Sequence, residues 1–223
     1  LLHCAVEGSL YAIGRKPVSM QIWDAWHESN SPNYPHEKVI QFVLRNFGAA
    51  TIPPGKALDV GCGSGANTCF LAEVGFVVTG IDASQRALKN TSQRAEAEGL
   101  RVTTQLNLLS EFVVPKEAFD LVISIGVIEF VNAYEGEAAI ARSYAALKPG
   151  GKALFLFAAE TDFRHESREN LGIRRINRGE VRQLMAPISE GLTLVDQYIT
   201  TYNNDAYRQV DWLVTVEKGA PRE

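Results

Sequence analysis

The ten residues LDVGCGSGAN (58–67) decide the fold of this chain. They close a short apolar run that predicts a buried strand, and they open a run that predicts a helix ending at Gly75. Three glycines therefore lie at a turn from strand to helix: Gly61, Gly63 and Gly65. Because they lack a Cβ, such residues let the backbone turn sharply and approach a ligand closely. The stretch predicts a ligand-binding turn.

Two carboxylates flank this turn. FVVTGID (76–82) predicts a second strand, which ends in Asp82 about 20 residues after Gly61, the spacing of an acid that binds the ribose of a nucleotide. Asp59 lies at the end of the first buried strand, where a charge is costly unless it is compensated. The pyrophosphate of a dinucleotide is anionic, so the additional acid opposes it, whereas a cationic sulfonium nucleoside suits both acids. An NAD-type site and a plain tight turn are the alternatives.

Apolar runs alternate with helical patterns after this point. Further strands are predicted at 101–109, 118–128 and 152–159. Helices are predicted at 84–99 and from residue 135 to a stop formed by Pro149 and the two glycines after it. Ser84 is a suitable N-cap for the first of these helices. The last two strands (192–204 and 208–218) have only a short turn between them, and a parallel pair needs a long crossover. The pattern therefore predicts an α/β, doubly wound, mostly parallel sheet with helices on both faces and a terminal antiparallel hairpin.

Four stretches together resemble the motifs of class I S-adenosylmethionine (SAM)-dependent methyltransferases. LDVGCGSG is similar to motif I and GIDAS (80–84) to the acidic motif that follows it. FDLVISIGVIEFV (119–131) and LKPGGKALFLF (147–157) resemble the next two motifs, in order and at family-like spacing. The resemblance implies a seven-stranded sheet of order 3-2-1-4-5-7-6 with strand 7 antiparallel. It also implies SAM as the cofactor.

The same resemblance implies a set of cofactor-binding residues. The glycines would line the methionine and ribose portions, Asp82 would hold the ribose, and Ala83 would flank the adenine. Asn107 stands where the family often has an aspartate, and its carbonyl can accept from the adenine amino group. The predicted set is Asp59, Gly61, Cys62, Gly63, Gly65, Asp82, Ala83, Asn107, Leu108, Ser124, Ile125 and Gly126.

Methyl transfer from a sulfonium depends mainly on alignment of the nucleophile and exclusion of water. No convincing base emerges from the sequence, so the catalytic residues stay unassigned. The Asn/Asp-Pro-Pro-Tyr motif of amino-group DNA methyltransferases is absent, since the matching residues are Ile125–Ile128. Cysteines in the catalytic positions of cytosine-C5 enzymes are also missing. These absences favour a small-molecule acceptor.

Two segments are expected to shape the acceptor pocket. One is an aromatic-rich loop or short helix before the core, whose alternative role is packing under the first helix. The other is a lid insertion at about 160–180, whose arginines can bind a carboxylate or phosphate of the substrate. The alternative for this insertion is a solvated surface of mixed charge. The candidate substrate residues are Trp23, Trp26, His27, Tyr34, Arg164 and Arg174.

The length of 223 residues suits one α/β domain. The predicted divisions are an N-terminal extension (1–19), a cap with the first helix (20–50), and a SAM-binding methyltransferase domain (51–218). One hypothesis places the natural start at Met20, which leaves the extension non-native or disordered.

Composition narrows the functional classes. A net charge of −4 argues against wholesale nucleic-acid binding. The chain contains no apolar run of about 18 residues, so no membrane span is expected. The first residues make a poor secretory signal. The three cysteines show no zinc-site spacing, so we predict no metal, reduced thiols and a cytoplasmic location. The sequence leaves the oligomeric state open.

The sequence predicts a SAM-dependent methyltransferase that acts on a small molecule. An NAD-dependent oxidoreductase is the first alternative, although the chain lacks an obvious substrate domain or a Tyr-x-x-x-Lys motif. A non-catalytic SAM-binding regulator or partner subunit is the second, and it predicts cofactor affinity without turnover.

Overall fold

Seven strands and six α-helices form the part of the chain that the computed structural model describes, which is residues 20–48, 55–166, 172–202 and 207–219. The predicted extension at 1–19 lies outside it. The helices are α1 (Met20–Ser29), α2 (Glu37–Phe47), α3 (Ala66–Glu73), α4 (Gln85–Ala97), α5 (Ala133–Ala146) and α6 (Arg178–Met185). The strands are β1 (Lys56–Val60), β2 (Val77–Asp82), β3 (Val102–Leu106), β4 (Phe119–Ile125), β5 (Leu147–Ala158), β6 (Leu192–Tyr202) and β7 (Tyr207–Glu217). Short 3₁₀ turns cover Ile128–Phe130, Phe163–Glu166 and Ala186–Gly191.

The strands form one sheet of order β3-β2-β1-β4-β5-β7-β6. Neighbours from β3 to β5 pair in parallel, whereas β7 pairs antiparallel with both β5 and β6. This arrangement confirms the predicted doubly wound sheet and its terminal hairpin. It also brings the carboxyl ends of β1, β2, β4 and β5 to one edge, where ligands bind in open α/β sheets.

Apolar side chains cover both faces of the sheet. On one face, residues of α5 and α6 pack with Phe155, Phe157 and Trp212. On the other, α2 and α3 pack against β1 and β4, and Phe47 meets Phe76 edge to face with 5.3 Å between ring centroids. The two packed layers hold the strand ends rigidly.

The junction of α5 and β5 differs from the prediction. We expected a helix that Pro149 and the two glycines after it stop, and a strand from Lys152, but the helix ends at Ala146 and the strand begins at Leu147. Proline disfavours helical backbone in the residue before it, so Lys148, which precedes Pro149, is extended. Leu147 then pairs with Phe119 of β4. None of the described helices is long and apolar enough to cross a membrane.

Candidate active site

The loop after β1 is held against the end of β2. The backbone N–H groups of Gly61 and Cys62 both donate to the carbonyl of Ile81, at 2.7 and 2.9 Å. Gly61 has a φ of 79°, and a Cβ there would lie 2.2 Å from Cγ2 of Val127 in the turn after β4. Only glycine therefore fits at this position, because the backbone of the loop runs directly against the neighbouring turn.

Asp82 joins the loop to the end of β2. Its Oδ2 accepts from the N–H of Gly63, and its Oδ1 accepts from the N–H of Ser84, both at 2.8 Å. Each carboxylate oxygen keeps a further lone-pair direction, so both can also accept from ribose hydroxyls. Next along this edge, Asn107 donates its N–H to the carbonyl of Asp82 at 3.0 Å. The structure thus brings Gly63, Asp82 and Asn107 together, and Ala83 lies between Asp82 and Ser84.

Asp59 lies behind the loop and is buried. Its Oδ2 accepts from the Thr68 hydroxyl at 2.6 Å, which fixes α3 to β1. Its Oδ1 has no hydrogen-bond partner among the described residues. Burial and, to a smaller extent, the nearby Asp82 raise the pKa of this carboxyl to about 7, although the hydrogen bond from Thr68 opposes the rise. Burial likewise raises the pKa of the Cys62 thiol well above its ordinary value, so this thiol is protonated and unreactive.

The end of β4 provides open backbone beside the loop. Ser124 is buried and Ile125 half-buried, whereas Gly126 is exposed, and a Cβ there would meet no atom within 4 Å. On the far side of the loop, Leu108 is 39% exposed. Gly126 and Leu108 are therefore open to solvent at the ends of β4 and β3, whereas Ser124 is enclosed.

Helix α1 lies across the glycine loop. His27 is buried, its Nδ1 is 3.0 Å from the hydroxyl of Ser64, and its backbone carbonyl accepts from the Asn90 amide at 3.2 Å. Desolvation lowers the pKa of this imidazole. Asp24 of the same helix accepts from the Ser84 hydroxyl at 2.6 Å and from the N–H of Arg86 at 3.0 Å. The aromatic-rich segment is therefore a helix that the loop and the start of α4 anchor.

Of the other predicted substrate residues, Trp23 and Trp26 lie together on α1, whereas Tyr34 is exposed. Trp23 packs edge to face on Phe130, with 4.6 Å between ring centroids, and Trp26 packs on Trp23 at 6.3 Å. The side chain of Tyr34 is 85% exposed. These contacts place Trp23 beside the turn that follows β4.

The two candidate arginines of the insertion are already bound to groups of the protein. Arg164 pairs with Asp162, with 2.8 Å between Nε and Oδ1, and also with Asp211. Arg174 donates to the carbonyl of Val131 at 3.0 Å and pairs with Glu180 at 3.3 Å. Arg164 therefore ties the insertion to β7, and Arg174 ties it to the residue that follows the turn Ile128–Phe130.

Sequence reasoning missed two acids of this region, Asp24 and Glu129. Glu129 is fully buried in the turn after β4, and its Oε1 accepts from the N–H of Ala158 at 3.3 Å. Burial raises its pKa to about 7. The only signal for Glu129 was a charge inside the apolar run GVIEFV, and Asp24 gave no signal because its partner is distant in sequence. Within the described ranges, no group of His, Cys, Asp and Glu side chains is arranged to hold a metal ion.

Comparison with known proteins agrees with this geometry. Residues 57–151 match the model of a family described as "Methyltransferase domain". A ubiquinone biosynthesis O-methyltransferase of Paramagnetospirillum magneticum is 40% identical over 109 residues, which cover 49% of this chain and 41% of that protein. A probable S-adenosyl-L-methionine-dependent methyltransferase, TehB, of Haemophilus influenzae is 30% identical over 114 residues, or 51% and 40% of the two chains. The match thus spans about two fifths of the length of these curated relatives.

A solved structure shares the whole topology. The magnesium protoporphyrin IX methyltransferase of Synechocystis, solved with bound SAM, superposes with a TM-score of 0.61 at 17% identity, over 94% of this chain and 88% of that one. This likeness concerns the fold, and the domain match adds the sequence evidence for the glycine loop and the central strands. Residues 57–151 are therefore similar to a methyltransferase domain, and the sheet order gives the chain the fold of class I SAM-dependent methyltransferases.

Proposed function

We propose that this protein binds SAM at the carboxyl ends of β1, β2 and β4 and transfers the methyl group to a small-molecule acceptor. The observation that carries the proposal is the contact of Asp82 with the N–H of Gly63. It presents a carboxylate and the backbone of a glycine loop on the same side of the crevice. That pair suits a ribose next to a cationic amino-acid end.

The residues around the crevice fit this cofactor. The carboxylate of Asp82 would accept from the ribose hydroxyls, and the half-buried Asn107 beside it would face the adenine. The exposed backbone at Gly126 leaves room for the methionine end. Bound there, SAM supplies a methyl group on a positively charged sulfur. The chain itself orients the two reactants and excludes water, contributions that can amount to several kcal/mol.

The acid content of the crevice distinguishes SAM from NAD. Asp59 and Asp82 both lie at the loop, where burial and, to a smaller extent, Asp82 raise the pKa of Asp59. An anionic pyrophosphate in the same place would meet this carboxylate pair, whereas a sulfonium and an ammonium would be attracted by it. This electrostatic difference supports the methyl donor over a nicotinamide cofactor.

We infer that the acceptor is a small molecule and that it takes the methyl group on oxygen. The relative at 40% identity is named an O-methyltransferase. Trp23 and Phe130 offer an aromatic wall at the turn after β4. The net charge of −4 supports an acceptor other than a nucleic acid. The two described cysteines, Cys62 and Cys69, are free thiols, which supports a reducing, cytoplasmic location.

Release of S-adenosylhomocysteine tests the proposal. The protein is incubated with SAM and a panel of hydroxyl, amine and thiol acceptors, with Asp82→Ala as the matched control. We expect release that depends on an acceptor and that falls strongly in the variant. Binding of SAM without release, for every acceptor, would instead favour a non-catalytic SAM-binding protein.

A further inference from the structure

A buried carboxylate lies at the carboxyl ends of β4 and β5. The turn Ile128–Phe130 brings Glu129 over the end of β5, where its Oε1 accepts from the N–H of Ala158 at 3.3 Å. The same turn carries Phe130, which packs on Trp23, and it begins beyond the open backbone of Gly126. Glu129 therefore belongs to the edge of the sheet where the proposed reaction takes place.

This carboxylate has an oxygen without a partner. The Oε2 atom of Glu129 is buried and has no hydrogen-bond partner among the described residues. A buried acceptor that lacks a donor carries a desolvation cost. Arg164 is the guanidinium that faces it, but Asp162 and Asp211 already hold that group. One oxygen of this buried carboxylate therefore holds β5, and the other has no hydrogen-bond donor among the described residues.

We infer that Glu129 accepts the proton of an aromatic hydroxyl on the methyl acceptor, an inference that rests on the proposed methyl transfer. The aromatic pair of Trp23 and Phe130 at the same turn suits a planar ring. A phenolic hydroxyl has a pKa of about 10, as in tyrosine, so near neutrality it is a weak nucleophile until a base removes its proton.

The proposed step balances in atoms and charge. The acceptor oxygen forms a bond to the methyl carbon while the carbon–sulfur bond breaks, and the electron pair of that bond stays on sulfur. The hydroxyl proton moves to Oε2 of Glu129. The products are the methyl ether, S-adenosylhomocysteine and a protonated Glu129, which then releases its proton to water.

The surroundings of Glu129 suit a proton acceptor that works near neutral pH. Two charged groups face it, Arg164 from the turn after β5 and Asp211 from β7, and Asp211 also acts on His36. Burial and Asp211 raise the pKa of Glu129, whereas its own backbone N–H, Arg164 and the N–H of Ala158 lower it, and the balance is a pKa of about 7. The carboxylate form, which is the active one, is therefore gained as the pH rises through about 7.

Glu129→Gln separates this role from a structural one. Glutamine keeps the carbonyl that accepts from Ala158 and nearly the same volume, but it cannot take a proton. Glu190→Gln, at an exposed glutamate in the turn Ala186–Gly191, is the matched control. Both variants should keep the affinity of the wild type for S-adenosylhomocysteine, because neither lies among the proposed cofactor residues.

The test follows methylation of phenol, catechol and 2-naphthol against pH. We expect Glu129→Gln to lower kcat by about 10²–10⁴-fold near neutral pH with little change in KM, and to abolish the rise in rate through about pH 7. With 4-nitrophenol, which is ionised without help at about pH 9, the variant and the wild type should react at similar rates because no base is needed.

Three results would overturn the inference: an unchanged rate in Glu129→Gln near neutral pH, an equal loss with 4-nitrophenol at about pH 9, or a wild type that binds SAM yet methylates none of these hydroxyls. A protein that fails to bind SAM at all would overturn the proposed function itself.

Discussion

Asp82 at the end of β2 holds Gly63 in the loop that follows β1, with 2.8 Å between Oδ2 and the backbone nitrogen. The strands are parallel neighbours, so the acid of one fixes the turn of the other. The second oxygen of Asp82 holds the N–H of Ser84 at the start of α4. One side chain therefore orders both turns of the crevice before a ligand arrives, and such preorganisation lowers the cost of binding.

Asp82→Ala should weaken binding of S-adenosylhomocysteine by roughly 1–3 kcal/mol, the scale for charged hydrogen bonds lost from a site. Isothermal titration calorimetry measures the change. Asp196→Ala, at an exposed aspartate on the edge strand β6, is the control and should bind as the wild type does. Unchanged affinity in a folded Asp82→Ala protein would remove the ribose role from this residue.

Gly61→Ala should destabilise the fold more than Gly99→Ala. Both glycines have a positive φ, but a Cβ at residue 61 would lie 2.2 Å from Val127, whereas one at residue 99 would meet nothing within 4 Å. Gly99→Ala should therefore cost only the backbone strain of about 1–2 kcal/mol. Urea unfolding gives both values.

The double variant Gly61→Ala, Val127→Ala locates the source of that difference. Removing the γ-methyl groups of Val127 leaves only its Cβ, at 3.1 Å, near the added atom. We expect the double variant to recover part of the stability lost by Gly61→Ala. If it does not, the clash with Val127 is not what requires glycine at this position.

Asp24→Ala and Ser84→Ala should be coupled, because the 2.6 Å hydrogen bond between these side chains anchors α1 to the start of α4. Ser84→Ala should cost about 0.5–2 kcal/mol of stability, since its Oγ also caps α4 through the N–H of Ala87. The double variant should lose less stability than the two single variants lose together, and the difference should be about 0.5–1.5 kcal/mol. Strict additivity in urea unfolding would show that α1 is held by other contacts.

Much of the fold follows from hydrophobic pattern and turn chemistry. The run from 118 to 128 indicated a central strand, and the lack of a crossover before 208 required an antiparallel hairpin. The ends of the strands were predicted less accurately, because the local backbone geometry decides where a strand stops. The predicted central strand stops at Ile125, since Gly126 turns with a φ of 71°.

The site was less predictable from sequence where its contacts are long-range. Asp82 and the glycines were identifiable because they lie at a fixed spacing within one βαβ unit. The partners of Asp24 and Glu129 lie 60 and 29 residues away, at Ser84 and Ala158. No local pattern encodes such pairs, since they depend on how α1 and β5 pack in three dimensions.

Asp59→Asn should change how stability depends on pH. The pKa of Asp59 is about 7 in the folded protein and 3.8 as an unperturbed side chain, so the folded state binds more protons between these values. The contribution of Asp59 to the stability of the folded state is therefore complete below about pH 4 and declines as the pH rises towards 7.

Unfolding of the wild type and of Asp59→Asn at pH 5, 6 and 7 tests this dependence. Between pH 5 and 6 the free energy of unfolding of the wild type should fall, relative to the variant, by up to about 1.4 kcal/mol per pH unit. Parallel curves for the two proteins would mean that Asp59 does not carry a raised pKa.

The most direct test of the central claim is calorimetric titration of the purified protein with S-adenosylhomocysteine, SAM and NAD under the same conditions. The geometry of Asp82 and the glycine loop predicts one site per chain for the two sulfur nucleosides, lost or strongly weakened in Asp82→Ala, and no comparable binding of NAD. Tight binding of NAD without binding of either sulfur nucleoside would contradict it.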